Sequence, residues 1–552
     1  MNRKLWLISR SILMLAICLT LIGAITVTAQ AKLPIEQIPH QESHPAALID
    51  GEVQAGGTIS GTVTCLGFIS EATNEVFVDL HFDSPQSIPD PSIHIACNQP
   101  YQFTGVPDGT YYIGAWLDEN DSGDGPPDPG EPHEYFGAPD PIVISSATPT
   151  HTDVDLELYR YVERVSLFGD KEDTPEERAY DSEEPAISGD GRYVVFHSSD
   201  WANRGVHIFD RELDTSTWFG IEDYNDFFED PDISADGIYV AAAYHYYDYE
   251  FPSNNVEELI IKEWAVEASI PTIIEPWETN EPCFTNPSIS GDGCRVAFQF
   301  EYFNSEYINN IYLHDCDTDQ TTLISVAEDG EEPGNDWSGF PAISDDGQFV
   351  VFKSEATDLV IPAPPIGEDL FEDLLYVRDI AAGTTELIPP PEGISGGEFY
   401  DPSISADGRF VAYQLNYDIY KDVYVYDRDT EQTIKIPKID SEIPEDNYNP
   451  SVSGDGRFVA YESFRWFESE SLFYNNINIY DRELGTIKIA KSGFENMPDE
   501  YPEHPAISYD GRFIAFDSDA ESLVVNDTNG TKDVFVYMHE PSSTIYLPII
   551  LK

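Results

Sequence analysis

Apolar and polar positions alternate along this chain in short runs, and the runs return in a fixed order. One phrase, Pro-x-Ile-Ser-x-Asp-Gly-x-x-Val-Ala-Phe, is first read from Pro185 to Phe196. Its serine recurs at Ser188, Ser234, Ser290, Ser344, Ser405, Ser453 and Ser508, at intervals of 46 to 61 residues. A second alternating run follows the copies, as in Val206-His207-Ile208-Phe209-Asp210-Arg211 and Val423-Tyr424-Val425-Tyr426-Asp427-Arg428. Alternation with period two predicts half-buried strands. Pro-x-Ile-Ser predicts a short inner strand, and Asp-Gly a tight turn in which Gly takes positive φ and the carboxylate bonds back to the backbone. The Val-Ala-Phe segment is the partner strand and the Val-Tyr-Val-Tyr segment the third. A Thr-rich stretch such as Gln432 to Ile436 is the fourth. A four-stranded sheet of this size cannot bury both faces alone, so the sheets must stack radially. Seven copies predict seven blades.

The region before the repeats has a different rhythm. From Gly56 to about Leu158 it reads as short strands: Thr58 to Thr64, Val76 to Leu80, Tyr101 to Phe103, Tyr111 to Trp116 and Val154 to Leu158. This pattern predicts a β-sandwich. The expected fold class is all-β: an N-terminal β-sandwich over 55–159, followed by a seven-bladed β-propeller of four-stranded blades over 160–545. Residues 1–31 read as a signal peptide. Arg3, Lys4 and Arg10 precede an apolar run from Ile12 to Ile25, and Ala29-Gln30-Ala31 fits a cleavage site. Residues 32–54 form a Pro-, Gln- and Glu-rich linker, and 546–552 a short tail. Either Val162 to Leu167 or Thr544 to Leu547 supplies the outer strand of the last blade. The N-terminal segment fits better, because Arg164-Val165-Ser166-Leu167 matches the fourth-strand pattern.

Two resemblances follow from these residues. Gly57 to Thr64, with Tyr101-Gln102-Phe103 running to Tyr111, resembles the carboxypeptidase-regulatory-like, or transthyretin-like, sandwich. That resemblance implies an accessory or adhesion module without catalytic residues of its own. The seven Ser-x-Asp-Gly copies resemble the TolB-type, WD-repeat-like propeller. That family shares a fold rather than one activity. Copy two lacks the Arg after Asp236-Gly237, copy three has Cys294 there, and copy four has Gln348.

Charge then narrows the partners. The chain carries 102 acidic against 28 basic residues, a formal net charge of −74 over 552 residues. Such a surface repels phosphate, which excludes nucleic acid and anionic membranes as partners. Beyond the signal no run is long enough to span a bilayer. An exported chain is expected to be secreted or at the cell surface, where disulfides can form. Cys65 and Cys97 could pair; of Cys283, Cys294 and Cys316 at most two can.

The most oxygen-rich segment is Asp118 to Glu131. Counted from Asn120, the residues Asn120, Ser122, Asp124, Asp128 and Glu131 fall at positions 1, 3, 5, 9 and 12 of a cation loop, with Gly125 at the sharp turn. A register beginning at Asp118 is the alternative, and either predicts a Ca2+ site. Asp527, Asn529 and Asp533 could hold a second cation, although the Asn529-Gly530 pair reads better as a hairpin turn. The residues before each repeat's Pro are Glu184, Asp230, Asn286, Phe340, Asp401, Asn449 and His504. They are expected at the mouth of the propeller channel, with Glu183, Glu229 and Glu503 beside them, as a funnel for cations or a basic peptide. Gly393 to Gly397 fits G-x-S-x-G but lies in a Pro/Gly loop, without the strand-to-helix elbow that chemistry needs. The sequence favours a non-catalytic scaffold that offers loops to a protein or glycan partner. A hydrolase or lyase acting on polysaccharide or peptide at the channel mouth is the alternative. Converging acid, base or metal groups on the axis would mark the enzyme.

Overall fold

The computed structural model describes residues 57–66, 75–82, 92–96, 99–118, 133–136 and 142–145, and most of 150–166. From 181 to 539 it describes all but 200–204, 221–225, 247–255, 266–270, 275–281, 304–306, 329, 331, 365–370, 440–444, 468–471, 491–500, 521–522 and 525–530. Every regular element among the described residues is a strand.

The first strands form two sheets. Gly57–Leu66 lies beside Gln99–Val106 and also pairs, in parallel, with Thr150–His151 and Leu156–Tyr159. In the other sheet Glu75–Phe82 lies between Ser92–Ile95 and Gly109–Asp118, and the latter also pairs with His133–Phe136 and Ile142–Ile144. Ile59 and Val63 of one sheet share a core with Val76, Val78 and Leu80 of the other, as the alternation requires. Phe77 points the opposite way and is also buried. It stacks on Trp116 at 4.2 Å, and the Trp116 indole donates to Asp79. The closing strand starts later than its alternation suggests: the Val154 N–H donates to the Ser60 carbonyl, and the Tyr101 hydroxyl donates to the Val154 carbonyl at 2.6 Å.

From Val162 onward the strands assemble into seven four-stranded antiparallel sheets. Blade 1 is Ser182–Ile187, Tyr193–Ser198, Gly205–Asp210 and Thr215–Phe219. Blades 2 to 7 begin at Asp226, Cys283, Ser338, Glu398, Glu445 and Glu503. Blade 7 takes its outermost strand from Val162–Arg164, which pairs with Asp533–Met538. The alternative closing segment, 544–547, lies outside the described residues. Asp533 is committed to this closure: it accepts from Ser166 Oγ at 2.5 Å and pairs with Arg164 at 3.5 Å. Asp527 and Asn529, the other proposed ligands there, lie outside the described residues.

The repeat phrase explains the ring. The buried serine of each copy donates to the carboxylate two residues on and accepts the N–H five residues on. In blade 1, Ser188 bonds Asp190 at 2.7 Å and Tyr193 at 2.9 Å. The Asp190 carboxylate in turn accepts the Arg192 N–H. The following glycine has positive φ and meets the preceding blade. A Cβ on Gly456 would lie 2.1 Å from Phe410, and one on Gly191 the same distance from Phe513 of the last blade. Glycine is therefore required twice, by dihedral and by contact. Seven backbone bonds between blades complete the circle: Gly189 to Ala235, Asp236 to Gly291, Gly291 to Asp345, Asp346 to Ala406, Ala406 to Gly454, Asp455 to Tyr509 and Tyr509 back to Gly189, all 2.9–3.1 Å.

Candidate functional site at the channel mouth

The residue before each repeat's Pro occupies one equivalent place in all seven blades. Each inner strand bulges there, with a register break such as that between Glu183 and Ala186. Proline offers no N–H, so the bulge suits it. The residue before it is forced into left-handed backbone: Glu184, Asp230, Asn286, Phe340, Asp401, Asn449 and His504 have φ between 43° and 55°. These seven and their prolines line one axial cavity of about 440 Å³.

The bulge releases the backbone N–H of the left-handed residue from the sheet. A side chain of the preceding blade accepts it in six blades. Gln299 accepts from Phe340, Gln414 from Asn449, Glu462 from His504, and Asp517 from Glu184, at 2.8–3.4 Å. These acceptors occupy the position directly after each Val-Ala-Phe phrase. Blade 2 has Ala243 there, and Asp230 itself accepts the Asn286 N–H at 2.9 Å. Blade 1 has His197 there, and Glu184 accepts from Asp230 at 3.2 Å. Blade 4 has Lys353, whose ammonium donates instead to the Phe399 carbonyl at 3.1 Å. Part of the acidity of the mouth is thus structural, because it satisfies backbone donors that the bulge strands. The sequence reading placed the inner ring but passed over this second ring. The signal for it is a polar residue closing six of the seven apolar phrases.

The remaining polar atoms converge. His504 Nδ1 lies 3.0 Å from Asp517, and Lys532 bonds Glu503 at 2.6 Å. Burial, with Asp230 adding repulsion, pushes the Glu184 carboxyl up to about 7. Burial opposes charge on His504, but its bond to Asp517 and the nearby Glu462 and Glu184 carry it up to about 9. Burial raises Glu462 and Asp401 as well. Among the described residues the Asp401 carboxylate makes no hydrogen bond that holds the ring. Below the mouth, Asp232 accepts the Ile233 and Ile289 N–H groups, both at 2.9 Å, and burial pushes it up to about 6.

The other sequence candidates do not join this site. Asp118 ends a strand, while Asn120, Ser122, Asp124, Asp128 and Glu131 lie outside the described residues. Cys283, Cys294 and Cys316 are free thiols.

The chain matches no family model and no curated protein. Among solved structures it is similar to an oligogalacturonate lyase in complex with manganese: 12% identity, TM-score 0.45, covering 69% of this chain and 93% of that one. An oligogalacturonate lyase from Vibrio parahaemolyticus gives 12% identity and TM-score 0.43, covering 68% and 93%. TolB from Acinetobacter baumannii gives 12% and 0.32, covering 70% and 87%. The propeller assignment rests on the strand order and the closed ring of bonds rather than on these likenesses.

Proposed function

We propose that this chain is an exported binding protein whose rigid propeller presents an acidic axial mouth to a cationic group of a protein or glycan partner at the cell surface. The observation that carries the reading is the set of carboxylates gathered at the mouth from five blades: Glu184, Asp230, Asp401, Glu462 and Asp517. Burial holds Glu184, Asp401 and Glu462 above the usual carboxylate range, with repulsion from a neighbouring carboxylate added at Glu184 and Glu462. Such a cluster lowers its free energy by taking up positive charge, and the walls of the cavity focus its field. A basic peptide segment suits it, as does a glycan bearing amino groups. Asp401→Asn is the informative variant, because that carboxylate does not staple the ring. Binding of Lys- and Arg-rich peptides and of amino-sugar oligomers, followed by titration calorimetry, should weaken about tenfold in this variant, roughly the 1.4 kcal/mol of one charged contact. It should also weaken with added salt. Binding indifferent to both changes refutes the reading.

The enzyme alternative has one specific observation in its favour. Glu184 keeps a proton near neutral pH beside a histidine oriented by Asp517, which is how a general acid is set up. Turnover of peptide or polysaccharide panels that Glu184→Gln abolishes, without loss of fold, would select it. We also propose that the 118–131 loop takes Ca2+ and stiffens the sandwich. Calorimetric heat with calcium that disappears in Asp124→Ala supports this, and no heat in the intact chain removes it.

A further inference from the structure

A second cluster of chemically different groups adjoins Asp230 of the ring, where blade 2 meets blade 3. Four neighbouring strands each contribute one group: Glu229 from Asp226–Ile233, His245 from Tyr239–Tyr246, Glu257 from Val256–Glu263 and Cys283 from Cys283–Ile289. A ring nitrogen of His245, a carboxylate oxygen of Glu257 and Cys283 Sγ lie within 4.8 Å of one another. His245 Nδ1 bonds Glu257, and its Nε2 faces Glu229 Oε2 at 3.5 Å. His245 and Glu257 are buried, and Phe227 stacks on the imidazole at 5.1 Å. Glu229 is 46% exposed in its side chain and lies outside that group of three.

We propose that His245, Glu257 and Cys283 form a binding site for a divalent transition ion of zinc's character. The donor set selects that class. A thiolate and an imidazole suit a borderline ion, whereas calcium and magnesium want oxygen alone. Three protein ligands leave the fourth position of a tetrahedron to water, and donor atoms within 4.8 Å of one another need only a small contraction to reach bond lengths of about 2.0–2.3 Å. Sheet pairing fixes the backbones of all three ligands, and Glu229 faces the Nε2 edge of the imidazole. Binding forms the Sγ–metal bond and breaks the S–H bond, with the proton leaving to solvent. This site does not depend on the reading of the axial mouth, and its failure would leave that reading untouched.

The test uses the full chain, reduced and stripped with chelator, then titrated with Co2+ and Zn2+. One equivalent of Co2+ should give a thiolate-to-cobalt charge-transfer band in the near ultraviolet, and Zn2+ should displace it. Cys283→Ser should remove the band and weaken Zn2+ binding at least tenfold, while Cys294→Ser and Cys316→Ser leave both unchanged. Should Cys283→Ser fail to fold, maleimide labelling of the unaltered protein, mapped by mass spectrometry, gives an independent reading. Zn2+ should slow labelling at Cys283 at least tenfold and leave Cys294 unaffected. A charge-transfer band surviving in Cys283→Ser, or equal labelling with and without Zn2+, overturns the proposal.

Discussion

Replacing Glu184 by Gln tests the electrostatics of the mouth directly. The amide oxygen can still accept the Asp230 N–H that the carboxylate accepts at 3.2 Å, so the ring geometry survives. What changes is charge. The carboxyl is held at about 7 against an ordinary value of 4.5. At about 1.4 kcal/mol per tenfold, ionising it in the folded ring costs about 3 kcal/mol more than in the unfolded chain. Partial exposure screens the group, so about 1–2 kcal/mol should be realised. The sign follows from proton counts. Between pH 4.5 and about 7 the folded protein holds a proton that the unfolded chain has lost, so stability falls as pH rises through that window. His504, raised from 6.5 to about 9, acts in the same direction. Its contribution is complete below pH 6.5 and is lost as pH climbs through about 9. Wild type should therefore be more stable at pH 5 than at pH 8. Glu184→Gln should exceed wild type at pH 8 by about 1–2 kcal/mol, with most of the gain gone at pH 5. Guanidinium unfolding followed by tryptophan fluorescence at both pH values measures the gap. A variant weaker than wild type at pH 8, or a gap that does not change with pH, refutes the reasoning.

Other perturbations probe the ring itself. Gly456→Ala places a methyl 2.1 Å from Phe410 at φ +71° and should cost about 2–5 kcal/mol in a denaturant titration, whereas Gly330→Ala, at φ +76° with nothing within 4 Å, should cost only about 1–2. Equal losses at the two sites would show that blade contact is not what demands glycine. Ser453→Ala strands the Phe458 N–H, which its hydroxyl accepts at 2.9 Å, and should lose about 1–3 kcal/mol by the same measurement. Lys353, paired with Asp373 at 2.9 Å beneath Trp337, Phe340 and Tyr400, should cost about 3–5 kcal/mol as Lys353→Met, with part restored by adding Asp373→Asn. No recovery in the double variant would mean that the stranded carboxylate is not the source of the loss.

The repeat phrase determined a great deal without any coordinates. Its period-two alternation set the strands, Asp-Gly set the turns, and the recurrence forced the sheets to bury one another. Even the inner ring of the mouth was readable, because Pro marks the same strand position in every copy. Three things depended on tertiary structure. The acceptors for the bulged N–H groups belong to the preceding blade, so Gln414, Glu462 and Asp517 gain their role only when the circle closes. The Glu184 carboxyl is shifted by burial and by a neighbour 46 residues away, and neither is visible along the chain. His245, Glu257 and Cys283 follow no ligand spacing, since pairing across strands and stacking of blades, rather than sequence distance, bring them together. Local alternation fixes which way a side chain points; which partner it finds is decided by closure of the ring.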